Sequence, residues 1–367
     1  MSFRRYAVAL ILFLLSFGLY FSTLAPGMLR GDSGEFQWAM VSLNVAHATG
    51  YPLFTLAGHL WQLLVPIGAV AFRLNLLAAI FGALTIAFVY QFAYELTESV
   101  LAALAGACFL AVAPVFWLNS SVLEVYSLNA FFLVSIFYLL WRWTRSYNYR
   151  LLFGAVFMLG LALAHHRLML LAVPGFAVYI LWNNRELLRE RRDLAQLVLT
   201  LVPGIALYPY VVLRLINAGQ TWQYAFNDII LGREFQGSFL HEFHLTEIFK
   251  IPYDNFGVGL LLALPGAIWL FRRDVKLATL LALTYATNAL FAFAYTVPDL
   301  EVFLTPAFVV IALWIAIGLK ELGEGVRARF APGPQLISGA ALVLALISLS
   351  HRGDIQAQVA AETGEVE

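Results

Sequence analysis

Charge is scarce in this chain: only 12% of its 367 residues are Asp, Glu, Lys or Arg. Twenty-two basic residues balance twenty-two acidic ones, so there is no basic field for nucleic acid and no acidic tail. A single cysteine, Cys108, excludes an intramolecular disulfide framework and reads as a small core residue within an apolar run. No glycine-rich phosphate loop of either nucleotide-binding type occurs, which argues against ATP as a direct energy source. Internal repeats, low-complexity stretches and a linker that would announce a second domain are also missing.

What the chain has instead is apolar surface. It is 62% hydrophobic, with a mean hydropathy of +0.81. A soluble protein of this length could not hide so much, so lipid is the solvent for much of it. The apolar runs are about one bilayer crossing long and lack the alternation of barrel strands, which predicts an all-α polytopic membrane protein. Spans are expected near 6–24, 74–94, 99–117, 124–141, 151–166, 168–182, 195–215, 256–271, 277–296, 302–319 and 335–350, about eleven in all. Arg4 and Arg5 followed by the run Tyr6 to Tyr20 and "STLAPG" also fit a secretory signal cleaved near Ala25. The polytopic pattern that follows favours an uncleaved anchor.

A cytoplasmic N-terminus places fifteen basic residues in inner loops and seven outside, the asymmetry of the positive-inside rule. All seven histidines and fourteen of the twenty-two acidic residues then fall on the outer side. Function is therefore expected on the extracytoplasmic face of a plasma (bacterial inner) membrane. A membrane domain over 1–350 would carry two long outer segments, 25–73 and 216–255, and end in a short, polar, unstructured tail, 351–367. "YPLFTLAGHLWQLLVPIG" (Tyr51 to Gly68) is apolar but short and proline-flanked, so it reads as an interfacial helix.

Four polar clusters stand on that outer side. The first, "RGDSGEF", sets Arg30, Asp32 and Glu35 directly after the first span. Asp32 or Ser33 could cap a short helix. Alternatively, Asp32 is a general base, given partial burial and a hydroxyl acceptor within reach, with Glu35 as backup base or as a metal or hydrogen-bonding partner. Gly31 and Gly34 would let backbone or substrate come close. The second cluster, "WLNSSVLEVYSLN", offers Glu124 and Tyr126 at a helix start, where Glu124 either neutralises the helix end or shares a cavity with Asp32. Its Asn119-Ser120-Ser121 sequon lies in a turn too tight to be a good glycan acceptor.

The third cluster, His165, His166 and Arg167, lies near the outer ends of two spans and could line a site for a phosphate; Arg214 could do the same. Arg73 reads as snorkelling to headgroups. In the fourth, "AYTVPDLEVFLTP", Asp299 is a helix cap or a further cavity carboxylate, beside Tyr295 and Glu301. "HEFH" (His241 to His244) lacks the His-Glu-x-x-His spacing of zinc proteases and is a weak metal site.

In order along the chain, "RGDSGEF", "AHATGYPLFTLAGHLW", "RLNLLAAIFGAL", "SSVLEVYSLN", "GLALAHHRLMLL" and "YTVPDLEVFLTP" resemble a family of membrane proteins. Its animal member is a protein O-mannosyltransferase for plexin-type receptor domains. The resemblance spans nearly all of residues 1–320, and the first-loop motif is its most specific part. The wider group is the GT-C glycosyltransferases, polytopic enzymes that use lipid-phosphate-linked sugars and an essential carboxylate in the first extracytoplasmic loop. The resemblance implies a GT-C-like bundle and maps that carboxylate onto Asp32, with Glu35 beside it. Arg30, His47, Tyr51, Glu124, Tyr126, His165, His166, Arg167, Arg214 and Asp299 are then the candidates for binding donor and substrate.

The implied activity is inverting transfer of a sugar, mannose in the animal member, from a polyprenyl phosphate to a hydroxyl of a protein or glycan. No cofactor is required, and a divalent metal is allowed. Membrane lipids are the remaining partners. Two departures leave the acceptor open: Ala48-Thr49 stand where the family often has proline in "HPPGYPL", and the long soluble region of some members does not occur in these residues. The rival readings are a transporter or flippase for an anionic or lipid-linked substrate, and a non-catalytic scaffold. Midplane charges and inverted repeats would favour the transporter, but the polar groups gather at one face.

Overall fold

A computed structural model of the chain describes residues 2–233, 246–327, 339 and 348–363. Its helices are α1 (Ser2–Phe21), α2 (Gly31–Ser42), α3 (Pro52–Leu64), α4 (Val70–Thr97), α5 (Val100–Ala111), α6 (Pro114–Leu118), α7 (Tyr126–Ser146), α8 (Tyr149–His165), α9 (Val173–Asn183), α10 (Arg191–Ile205), α11 (Tyr208–Asn217), α12 (Glu247–Phe256), α13 (Leu260–Arg273), α14 (Val275–Ala294) and α15 (Thr305–Arg327). Among the described residues 5 helical stretches are long and apolar enough to cross a membrane: Val70–Thr97, Arg191–Asn217, Glu247–Arg273, Val275–Ala294 and Leu300–Glu324. The chain is an integral membrane protein built of helices. Each expected span as far as 302–319 falls on helix. The expected span 335–350 lies outside the described residues except at 339 and 348–350, and the 241–244 histidine pair lies outside them altogether.

Proline breaks two of the apolar runs in places that hydropathy could not show. The run 99–117 stops at Ala111 and restarts with Pro114 at the head of α6. The run 195–215 divides after Ile205 and restarts with Pro209 in the first turn of α11. A proline fits the first turn because its missing N–H would have had no helical partner there.

α4 and α15 form the inner layer, surrounded by α1, α5, α7, α13 and α14. Close approach of α13 to α15 depends on small residues: a Cβ at Gly266 would run into the Trp314 carbonyl, and one at Gly318 into the Leu262 carbonyl. Backbones that touch in this way are a common means of helix association where lipid removes the hydrophobic drive. α10 and α11 sit at the periphery, α10 against α8.

Residues 352–363, expected as an unstructured tail, form a helix that buries Ile355 and Val359. α3 is only 13 residues long, too short to cross a bilayer. It buries Phe54 and Gly58 against α2 and leaves Leu60, Leu63 and Leu64 exposed, the two-faced character expected of an interfacial helix.

Polar bonds fix the two ends of the bundle. At one end Arg5 and Arg142 both donate to Glu95 Oε1, at 2.7 and 3.2 Å, joining α1, α4 and α7. At the other, Ala25 N–H donates to the Ser121 carbonyl at 2.9 Å, and the Trp117 indole donates to Thr23 Oγ1 at 2.9 Å. The sequon serines are thus buried structural residues, with Asn119 beside them equally inaccessible.

Candidate active site

The first outer loop is held by one buried asparagine. Asn75, on α4, donates to the carbonyls of Ala25 and Gly27 at 2.9 and 3.0 Å. Its Oδ1 accepts from Gln37 Nε2 at 2.8 Å, and Gln37 Oε1 accepts from Leu29 N–H at 2.9 Å. A core helix thereby sets both the loop after α1 and the orientation of α2. Gly34 completes the arrangement, because a Cβ there would run into the Leu29 carbonyl.

α2 begins at Gly31 without any side-chain cap. Capping therefore does not account for Asp32 or Ser33. Ser33 donates its hydroxyl to Glu124 Oε1 at 2.6 Å, and the Asp32 carboxylate remains 66% exposed. Both oxygens of Glu35 are engaged by His47: Oε1 accepts the backbone N–H at 2.8 Å and Oε2 the ring Nδ1–H at 2.6 Å. The other ring nitrogen lies 3.0 Å from the Tyr51 hydroxyl and 3.8 Å from Asp32 Oδ2.

These contacts set the charges. Burial alone would raise the Glu35 carboxyl, but the hydrogen bonds and charge of His47 outweigh it and hold Glu35 below the ordinary value. Burial would likewise lower His47, yet Glu35, Asp32 and Glu124 together keep it above the ordinary value. Burial, and then the charges of Asp32 and Glu124, push the Tyr51 phenol well up, so it stays neutral. Tyr51 has a left-handed backbone (φ 42°), a strained setting that its packing sustains. Its ring meets Phe36 edge-on at 4.9 Å and stacks on His166 at 5.6 Å.

These groups open onto a cavity of about 540 Å³ at one end of the bundle. Asp32, Glu35, His47 and Tyr51 come from the first loop, Glu124 and Tyr126 from the α6–α7 turn. His166 and Arg167 enter after α8, and Asp299 after α14. Sequence-distant clusters are thus gathered into one site. Arg167 makes no hydrogen bond or ion pair among the described residues, so it brings an unneutralised cation to the wall. Gly232 (φ +60°) closes over it, since a Cβ there would stand 2.5 Å from Arg167 Nη2. His166 Nδ1 accepts from Leu168 N–H at 3.2 Å, which leaves Nε2 as its donor in the neutral ring. Asp299 caps nothing with its side chain; burial and the charge of Asp32 raise its carboxyl against the pull of its own backbone N–H.

Three expected residues are not brought in. His165 is fully buried behind the cavity, where its Nε2–H donates to the Val125 carbonyl at 2.8 Å and so positions the turn bearing Glu124. Arg214 donates to the Ser42 carbonyl at 3.2 Å and closes the end of α2. Arg30 precedes α2 on the exposed side and does not line the cavity. Arg73, read as snorkelling, donates instead to the Gln62 and Val65 carbonyls at 2.7 and 3.1 Å, capping α3. Sequence reasoning missed the apolar wall, chiefly Leu170, Leu171, Leu231, Phe291 and Phe303, of which Leu170 and Leu231 are exposed. It also missed Gly232, whose need arises from its left-handed backbone and from the approach of Arg167.

Asp32, Glu35 and His47 each offer one ligand atom within 4.8 Å of the others, a donor set that suits a divalent cation. The Glu35–His47 bond uses Nδ1–H, so Nε2 is the ring nitrogen left to ligate a cation, and it can do so only when it carries no proton.

The chain is similar to known proteins in sequence and in fold. Residues 32–189 match the family described as Protein O-mannosyl-transferase TMEM260 N-terminal domain. The family resembled by "RGDSGEF" and its companion motifs is the one that matches. The protein O-mannosyl-transferase TMEM260 of Mus musculus is 30% identical over 243 residues, 65% of this chain and 33% of its own length. The chain therefore spans about a third of that relative. Among solved structures, ArnT from Cupriavidus metallidurans bound to undecaprenyl phosphate superposes with a TM-score of 0.65 at 13% identity, over 99% of this chain and 73% of ArnT. The archaeal oligosaccharyltransferase AglB from Archaeoglobus fulgidus, in complex with an inhibitory peptide and a dolichol-phosphate, gives 0.57 at 14% identity, over 98% of this chain and 56% of AglB. At these identities the likeness establishes the fold alone, which this chain shares with ArnT and AglB.

Proposed function

We propose that the chain is an inverting glycosyltransferase that moves mannose from a polyprenyl phosphate to a hydroxyl of a protein acceptor. The observation that carries this is the pairing, in one cavity, of the exposed carboxylate of Asp32 with the unneutralised cation of Arg167. Such a site can take a proton from one partner and stabilise a phosphate leaving from the other. The apolar wall at Leu170, Leu171, Leu231 and Phe291 would receive the first isoprene units. Similarity to the mouse protein O-mannosyl-transferase supports the sugar and the protein acceptor, and the lipid phosphates named with ArnT and AglB support the donor class.

In the step itself, the acceptor oxygen attacks the anomeric carbon as its proton passes to Asp32. The bond from that carbon to the phosphate oxygen breaks, and the electron pair leaves with the phosphate toward Arg167 and His166. Glu35 is a positioning residue, since both of its oxygens already hold His47. Glu124 and Asp299 are placed to bind sugar hydroxyls. The step needs no metal: His47, which Glu35, Asp32 and Glu124 hold above its ordinary value against burial, supplies positive charge beside Asp32 when protonated.

The topology belongs to the same proposal. About eleven spans with a cytoplasmic N-terminus put the cavity on the outer face of the plasma membrane. In support, Arg142, Arg145 and Arg273 lie at helix ends opposite the cavity.

Purified protein in lipid nanodiscs, given polyprenyl-phosphate mannose and Ser/Thr peptides, tests the reading. Wild type should form product of inverted anomeric configuration, and Asp32→Asn should lose about 100-fold or more in rate while still binding donor. Absence of transfer by wild type from any lipid-linked sugar, or transfer by Asp32→Asn at the wild-type rate, refutes it.

A further inference from the structure

The end of the bundle opposite the catalytic cavity holds a second cavity of about 430 Å³, to which the proposed reaction gives no role. Glu98 reaches it from the end of α4, Trp141 and Arg145 from α7, Trp269 and Arg273 from α13, and Asp274 from the turn into α14. Each arginine lies over one of the indoles, Arg145 over Trp141 at 5.3 Å and Arg273 over Trp269 at 5.5 Å. Arg145 also pairs with Asp274 at 3.2 Å.

Two features point to a ligand. Trp141 is 8% exposed, yet its Nε1–H has no acceptor among the described residues. A buried donor left unpaired is costly and marks a place where an outside acceptor is wanted. The charges are the second feature. Both signs line the cavity, so a simple anion would meet Glu98 and Asp274, and a simple cation would meet Arg145 and Arg273.

We propose that this cavity binds the headgroup of phosphatidylethanolamine, a zwitterionic phospholipid. Its phosphate oxygens accept from Arg273, Arg145 and the Trp141 indole, and its ammonium donates to Glu98 and Asp274. A primary ammonium fits because the cavity offers carboxylate acceptors while the indole faces are already occupied by arginine. Headgroup pockets between helix ends are a usual form of lipid recognition. The site is separate from the sugar-transfer reading and stands or falls without it.

Native mass spectrometry of the delipidated full chain in neutral detergent tests this, with phosphatidylethanolamine and phosphatidylglycerol of matched acyl chains. Wild type should retain phosphatidylethanolamine at least tenfold better than phosphatidylglycerol. The double variant Arg273→Gln/Glu98→Gln, whose wild-type side chains make no hydrogen bonds among the described residues, should lose that preference. Its unfolding midpoint without lipid should match wild type. Trp141→Phe, which keeps an aromatic face for Arg145 but loses the indole N–H and part of the ring, should weaken retention on its own and serves if the double variant fails to fold. Equal retention of both lipids by wild type, retention of neither, or undiminished phosphatidylethanolamine binding by the variants overturns the proposal.

Discussion

Ser33 donates a 2.6 Å hydrogen bond to Glu124 across 91 residues of chain, joining α2 of the first loop to the turn that leads into α7. The bond commits the Ser33 hydroxyl to the cavity wall and ties together two of the clusters that the sequence keeps apart. A hydrogen bond to an ionised acceptor contributes about 1.5–3 kcal/mol. A double-mutant cycle of Ser33→Ala and Glu124→Gln, followed by denaturant unfolding in mild detergent, should give a coupling of about 1 kcal/mol or more. Additive effects of the two substitutions would show that the contact carries no energy.

The Glu35–His47 pair sets a pH window. His47 is raised in the folded protein, so its contribution to stability is complete below its ordinary value of 6.5 and is lost as pH rises through the folded value. Glu35 is lowered, so its contribution is complete above 4.5 and is lost as pH falls through the folded value. Between those limits both charged partners stabilise the loop. Unfolding midpoints of wild type and His47→Gln should therefore differ most between pH 4.5 and 6.5 and converge at alkaline pH. A difference that grows toward alkaline pH would mean that His47 is neutral in the fold.

The same pair predicts how chelation acts. Protonated His47, held by Glu35 and close to Asp32, occupies the space and the donors that a divalent cation would need. EDTA should leave transfer within about twofold of the untreated rate, because a proton on Nε2 and a metal exclude each other. Zinc or manganese should inhibit at alkaline pH, where the ring loses its proton. Loss of activity on EDTA treatment, restored by one of these cations, would assign the three residues to a metal instead.

How much of this could be read beforehand differs by residue. The helices were legible because hydropathy is a local property, and Asp32, Glu124, Arg167 and Asp299 stood out as charges beside apolar runs. Their convergence was not legible, since it depends on how α1, α4, α7, α8 and α14 pack. Asn75 shows the limit well. Within "RLNLLAAIFGAL" it is one polar residue in a span, yet it holds the loop by bonds to Ala25, Gly27 and Gln37. His165 and Arg214 show the reverse: each had the chemistry of a ligand-binding group, and each is satisfied by a backbone carbonyl. A side chain's chemical type is visible in sequence, whereas the partner that already satisfies it is not.

Arg167 bears most of the proposed phosphate chemistry, and its variants separate charge from shape. Arg167→Gln removes the cation and should weaken binding of undecaprenyl phosphate about 10- to 100-fold, the range of a lost charged hydrogen bond. Arg167→Lys keeps the charge but loses the planar fork, so it should weaken binding less than Arg167→Gln does. Gly232→Ala should resemble Arg167→Gln without touching any charge. Its Cβ would stand 2.5 Å from Arg167 Nη2, and its backbone would carry a side chain at φ +60°. Titration of each protein with a fluorescent polyprenyl phosphate in nanodiscs reads all three. If Arg167→Gln binds the lipid as tightly as wild type, the leaving phosphate is held elsewhere in the cavity. If only Gly232→Ala retains full binding, the segment over Arg167 moves aside and does not fix the guanidinium.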